Sequence, residues 1–200
     1  MKWIGLTGGI ATGKSSAAAV IRGLGYPVLD ADQLAKQSVQ KGSEALTKIT
    51  QTFGQDLILE NGELDRSKMG KLVFTDVVKR EQLENIIHPW IKNEVLKQKE
   101  ALSAAGTVDL AFYDVPLLFE KNMESSFDLI VLVYCPESVQ LSRLMQRNSL
   151  SQIEARLRID SQISIEEKKT KSDFVIDNSG SFSDLEDAVK LTLKKIKSAL

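Results

Sequence analysis

The sequence predicts an α/β domain: a parallel five-stranded sheet flanked by helices in a three-layer arrangement, carrying a helical insertion. Three observations predict it. Short β-rich runs alternate with longer helical patterns along the chain, one of those runs is apolar at every position, and one long interval holds helical pattern with no convincing buried strand. The strand candidates are residues 3–6, 26–29, 108–113, 129–134 and 174–176. The run Leu129-Ile130-Val131-Leu132-Val133-Tyr134 shows no polar alternation, as expected of a strand buried on both faces, and is the best candidate for a central strand. Residues 16–24, rich in alanine and aliphatic side chains, read as the first helix. Leu185, Val189, Leu193 and Ile196 recur at helical spacing with lysines between them, so the last segment reads as an amphipathic helix lying on the sheet.

The insertion covers residues 43–105, where Leu83, Ile86, Ile87, Ile91 and Val95 follow a helical period. His88-Pro89 interrupts that pattern, and because proline suits only the first turn of a helix, a helix is expected to start or kink there. The core is then made of 1–42 and 106–200.

At 200 residues, with 42% hydrophobic and 26% charged side chains, the chain has the composition of an ordinary globular domain. The net charge is −1, so no surplus of positive charge marks a nucleic-acid or membrane surface, and any anionic ligand must be held locally. A single cysteine, Cys135, cannot form an internal disulfide, and a reducing compartment is the natural reading. The apolar start, residues 3–6, is broken by Gly5 and is far short of a signal-peptide core. The longest apolar run, Leu129 to Cys135, has seven residues where a membrane span needs about 20. A cytoplasmic protein, monomeric or a small homo-oligomer, is expected.

Gly8-Gly9-Ile10-Ala11-Thr12-Gly13-Lys14-Ser15 matches G-x-x-x-x-G-K-[ST] in full, between a candidate strand and a candidate helix. This is a phosphate-binding loop. Its glycines let the backbone approach a phosphate, and its amides together with the helix N-terminus turn partial positive charge toward it. A nucleotide, ATP by the family resemblance described below, is therefore expected on Gly8, Gly9, Ile10, Ala11, Thr12, Gly13, Lys14, Ser15 and Ser16. Lys14 would neutralise the β- and γ-phosphates, and the Ser15 hydroxyl would ligate Mg²⁺. Asp114, at the end of a strand, is a second candidate for reaching the metal, or else a plain turn residue. No His, Cys, Asp or Glu cluster has metal-ligand spacing, so the metal is expected to arrive with the nucleotide. Thr170-Lys171-Ser172-Asp173 and Asp177-Asn178-Ser179-Gly180 look superficially like GTPase motifs, but their order is reversed and the first follows a polar run. A switch GTPase is the weaker reading.

After the second strand, Asp30-Ala31-Asp32 puts two carboxylates at the edge where open parallel sheets bind ligands. The most economical account has one capping the next helix and the other meeting an acceptor hydroxyl. Here the sequence resembles the dephospho-coenzyme A kinase family. The phosphate loop, Asp30-Ala31-Asp32, Leu64-Asp65-Arg66, His88-Pro89, Val115-Pro116-Leu117-Leu118-Phe119-Glu120 and Val175-Ile176-Asp177-Asn178 follow the family's order along nearly the whole chain. One departure is visible: the family loop usually reads G-G-I-G-S-G-K-S, and Ala11 and Thr12 replace its third glycine and its serine. Alanine at position 11 implies that the backbone there needs no positive φ.

The resemblance implies a P-loop kinase fold and transfer of the γ-phosphoryl of ATP to the ribose 3′-hydroxyl of dephospho-coenzyme A. It implies that Asp32 is the catalytic carboxylate, acting with Lys14 and with arginines of a helical lid at about 143–165. Arg143 and Arg147, four apart on one helix face, are the stronger lid candidates; of Arg156 and Arg158, two apart, only one is expected to reach the nucleotide. The insertion would bind the acceptor, with Thr7, Arg66, His88, Pro89, Pro116, Leu117, Leu118 and Phe119 lining it beside Asp32. For His88, the only histidine, substrate contact stands against a structural hydrogen bond. Asn178 is expected beside the adenine. The alternatives are a P-loop kinase for another small hydroxyl or phosphate acceptor, and a regulatory nucleotide-binding module.

Overall fold

A computed structural model describes residues 1–199. In chain order the elements are β1 (Lys2–Gly8), α1 (Lys14–Gly23), β2 (Val28–Asp30), α2 (Ala31–Ser38), α3 (Glu44–Phe53), α4 (Arg66–Thr75), α5 (Val77–Ala105), β3 (Leu110–Asp114), β4 (Leu129–Tyr134), α6 (Glu137–Asn148), α7 (Gln152–Asp160), α8 (Ile165–Thr170), β5 (Phe174–Asp177) and α9 (Phe182–Ser198). The chain divides into two compact units: Met1–Leu29 together with the chain from Ala105, and Asp30–Ala104. Among the described residues no helix is long and apolar enough to cross a membrane.

The first unit is built on a parallel sheet in the order β2-β3-β1-β4-β5. β1 pairs with β3 from Lys2↔Leu110 to Leu6↔Asp114 and with β4 from Ile4↔Leu129 to Gly8↔Val133. The 129–134 run is an interior strand, β4, paired on both sides between β1 and β5 and buried along most of its length, as expected; β1 holds the middle position. β1 carries Gly5, where a Cβ would stand 2.6 Å from Leu118 and 3.0 Å from Phe127, so a glycine lets those large side chains close over the middle of the sheet. α1 and α9 cover one face, bringing Ala17, Ala18, Ile21, Leu185, Val189, Leu193 and Ile196 onto Ile4, Leu6, Phe112, Val131, Val133 and Ile176. α9 starts with a reciprocal capping box between Ser181 and Asp184.

The second unit has its own small core of Val39, Leu46, Ile49, Leu57, Leu64 and Met69, backed by Leu83, Ile86 and Ile87 of α5. Side-chain caps start three of its helices: Asp30 for α2, Ser43 for α3 and Asp65 for α4. The unit begins at Asp30, ahead of the expected 43, because α2 packs on α3 and its Lys36 carbonyl accepts from Arg66. His88-Pro89 does not start a helix. Pro89 lies inside the 29-residue α5, where Leu83, Ile86 and Ile87 anchor the preceding turns to the core, so tertiary packing outweighs the missing N–H.

Ile21→Ala, in the fully buried core of the first unit, is expected to lower stability by about 2–5 kcal/mol through lost burial and a residual cavity. Phe74→Ser, at a position 89% exposed, is expected to change it by less than ~0.5 kcal/mol. Urea denaturation of the two variants checks the contrast.

Candidate functional site

The loop between β1 and α1 is shaped by two left-handed backbone positions. Gly13 has φ 85 and stands at the N-cap of α1 without any side-chain cap, the arrangement that an anion completes at a helix N-terminus. A side chain there would run into the Asn178 amide as well as meeting the unfavourable φ. Ala11 is the second, at φ 61, which corrects the expectation that alanine excluded a positive φ. The left-handed well is open to alanine at a cost of about 1–2 kcal/mol. The surroundings impose it: Ile10 and Ala11 pack on Leu144 of α6 and on Ala155 and Ile159 of α7.

Hydrogen bonds brace the loop on both sides of Ala11. The Thr12 hydroxyl, wholly buried, donates to the Gly9 carbonyl at 2.9 Å. The Asn178 amide, just past β5, donates to the Thr12 carbonyl at 2.7 Å. Asn178 thus spends its side-chain amide on the loop. On the other flank the Ile10 N–H donates to the side-chain oxygen of Gln162 at 2.9 Å. Gln162 belongs to no motif, and nothing local in the sequence marks it.

Lys14 forms an ion pair with Asp114, the last residue of β3. Both are largely buried, with side-chain exposures of 14% and 4%, so Asp114 is no plain turn residue. Arg143 and Arg147, on α6, line an open cavity of about 330 Å³ with Ala11, Gly13 and Gln146. Arg156 is instead engaged by Glu137, tying α7 to α6. Cys135 is buried, and burial pushes its thiol upward while Arg143 pulls it the other way; it is passive.

Thr7 is buried and donates to the Pro116 carbonyl at 3.3 Å, so it braces the turn after β3. In that turn Leu118 and Phe119 are core side chains, at 0% and 2% exposure, whereas Leu117 is exposed; of the expected apolar wall, Pro116 and Leu117 offer surface. Glu120 holds the segment after α7: it accepts from the Ile163 N–H at 3.1 Å and pairs with the wholly buried Lys168 at 2.7 Å. The GTPase-like strings have structural duties. Asp173 accepts from the Ile130 N–H, and Asp177 accepts from Ser179.

In the second unit Asp30 caps α2, accepting from the Gln33 N–H at 3.0 Å, while Asp32 is exposed in the first turn of that helix. Arg66 opens α4 and donates to the Lys36 carbonyl at 3.1 Å. His88 and Pro89 are exposed on α5. Among the described residues no group of three or more His, Cys, Asp or Glu is arranged to hold a metal ion.

Comparison with known proteins adds an independent line. The family model for dephospho-CoA kinase (CoaE) matches residues 2–184. A dephospho-CoA kinase of Listeria innocua is 46% identical over 180 residues, 90% of each chain. One from Enterococcus faecalis is 44% identical over 194 residues, 97% of this chain and 96% of the other. Among solved structures, a dephospho-CoA kinase from Campylobacter jejuni superposes with a TM-score of 0.76 at 32% identity, covering 99% and 98% of the two chains. Shikimate kinase from Bacteroides thetaiotaomicron, at 14% identity and a TM-score of 0.52 over 98% of both chains, shares the fold.

Ala11→Gly is expected to leave thermal stability within about 1 kcal/mol of the parent, since relief of the left-handed backbone is offset by lost methyl packing and a freer unfolded chain. Ala11→Val, β-branched at φ 61, is expected to cost more than about 2 kcal/mol. Thermal melts of the pair decide whether position 11 keeps its backbone when the side chain changes.

Proposed function

The chain belongs to the dephospho-CoA kinase family, and we propose how its residues divide the work of that family's reaction, the last step of coenzyme A biosynthesis. The γ-phosphoryl of ATP passes to the ribose 3′-hydroxyl of dephospho-coenzyme A. The bond from γ-phosphorus to the bridging oxygen breaks, a bond to the 3′-oxygen forms, and the hydroxyl proton leaves. The observation that carries the assignment is the cavity where Arg143 and Arg147 face Ala11 and Gly13 of the phosphate loop.

Phosphoryl transfer depends on in-line positioning and charge neutralisation more than on covalent help. The loop 8–16 cradles the ATP phosphates through its backbone. Lys14, fixed by Asp114, neutralises the β- and γ-phosphates, and Arg143 and Arg147 stabilise the charge spread over the transferring group and keep water out. Arginine suits this task because its planar fork meets two phosphate oxygens at once.

Ser15 and Asp114 supply hard oxygen donors, the kind Mg²⁺ prefers. Magnesium held by Ser15, with Asp114 as the second group, would neutralise charge on the phosphate oxygens when bound.

Asp32 orients and deprotonates the 3′-hydroxyl. Asp30 is committed to capping α2, which leaves Asp32 as the carboxylate for this task. Arg66, His88, Pro89, Pro116 and Leu117 serve the acceptor. Both substrates are cytoplasmic metabolites, and we place the enzyme there.

ADP release from Mg²⁺-ATP is expected with dephospho-coenzyme A and not with adenosine, AMP or sugar acids, and the product is expected to carry a 3′-phosphate. Turnover with another acceptor overturns the acceptor and keeps the kinase. Asp32→Asn is expected to retain ATP binding and lose turnover by about 10²–10⁴-fold. A similar loss in Asp30→Asn beside near-normal turnover in Asp32→Asn exchanges their assignments.

A further inference from the structure

Gln162 lies in the turn between α7 and α8 and takes no part in the reaction as described so far. Its side-chain oxygen accepts from the Ile10 N–H at 2.9 Å. That contact joins residues 152 apart in the chain and places a neutral carboxamide against the phosphate loop. The turn is itself held. The Gln162 N–H donates to the Ile159 carbonyl at 3.0 Å, and the next residue, Ile163, donates to Glu120, whose partner Lys168 is wholly buried.

The other end of the contact is strained. Ile10 precedes Ala11, an alanine at φ 61, and such a backbone persists only where neighbouring groups over-determine it. Gln162 fixes the loop ahead of Ala11, and Asn178 fixes it behind through the Thr12 carbonyl. The side chains of Ile10 and Ala11 meanwhile rest on α6 and α7, and α6 carries Arg143 and Arg147. The shape of the loop and the seating of the arginine helix therefore share one set of contacts.

We propose that Gln162 is a positioning residue for ATP. It fixes the first half of the phosphate loop and couples its shape to the placement of Arg143 and Arg147, so that phosphate affinity depends on a side chain outside the loop. This inference rests on the kinase reading above. It concerns the nucleotide half of the reaction, not the acceptor.

The test titrates the full-length protein with Mg²⁺-ATP in the absence of acceptor, then measures KM for each substrate. Gln162→Leu keeps the bulk and removes the acceptor oxygen. About tenfold weaker ATP binding is expected, from one lost hydrogen bond at a partly buried donor. KM for ATP should rise in proportion, and KM for dephospho-coenzyme A by less than about twofold. Gln162→Glu restores the acceptor oxygen but brings a negative charge. Its melting temperature is expected to match the parent while ATP binding weakens, and added salt should recover part of that loss. Parental ATP affinity in either variant overturns the proposal, as does a parallel rise of both KM values with a fall in melting temperature. If the parent binds ATP and Gln162→Leu weakens that binding, yet dephospho-coenzyme A is not phosphorylated, the acceptor assignment fails and the positioning proposal stands.

Discussion

A chain of net charge −1 that grips a polyanion must make its positive field where it needs it. In the function proposed above the backbone from Gly8 to Ser16 does so, and much of the first unit is arranged to keep that short stretch in shape. β1 delivers it from the middle of the sheet, α1 aims its N-terminus at it, β3 supplies Asp114 to hold Lys14, and the residue after β5 supplies the Asn178 amide. The fold works as a vice on a loop. Backbone amides carry only partial charge, so their field depends on how the loop orients them. That explains why so many distant groups contact so few residues.

The same logic explains the uneven distribution of charged contacts. Exposed pairs such as Lys48 with Glu44 and Lys171 with Glu167 are single pairs four residues apart, screened by water and of little weight. Lys14–Asp114 and Lys168–Glu120 are sequestered and lie beside the loop or the turn that contacts it. Buried pairs of this kind contribute little net stability against their desolvation, and removing one partner is costly. Their value here is geometric: Lys14–Asp114 ties the start of α1 to the end of β3, and Lys168–Glu120 ties α8 to the turn after β3.

How much of this was legible in the sequence follows from where each determinant sits. The loop motif, the five strands and the amphipathic last helix are local patterns, and local pattern is what a sequence displays directly. Asp30 and Asp32 could be separated only in principle, as one cap and one free carboxylate; the capping bond to Gln33 supplied the order. The apolar run 129–134 displayed its interior place directly, whereas hydropathy gave no sign of the middle strand β1, which carries Gly5 under Leu118 and Phe127. The left-handed Ala11 was hidden because its causes lie at Leu144, Ala155, Ile159 and Gln162, all distant in the chain. Thr7, Leu118 and Phe119, which the resemblance implies on the acceptor side, are buried by packing that no local pattern displays.

The insertion of a whole compact unit between β2 and β3 has a consequence for how the chain is made. Lys14 and Asp114 are 100 residues apart, and β1 finds neither of its neighbours until β3 and β4 have been synthesised. During translation the phosphate loop and its strand leave the ribosome early and wait, apolar and unpaired, while the second unit can condense around its own core. A sheet of this topology closes late, and a second unit that holds its own core leaves fewer unstructured residues between β2 and β3 when it does.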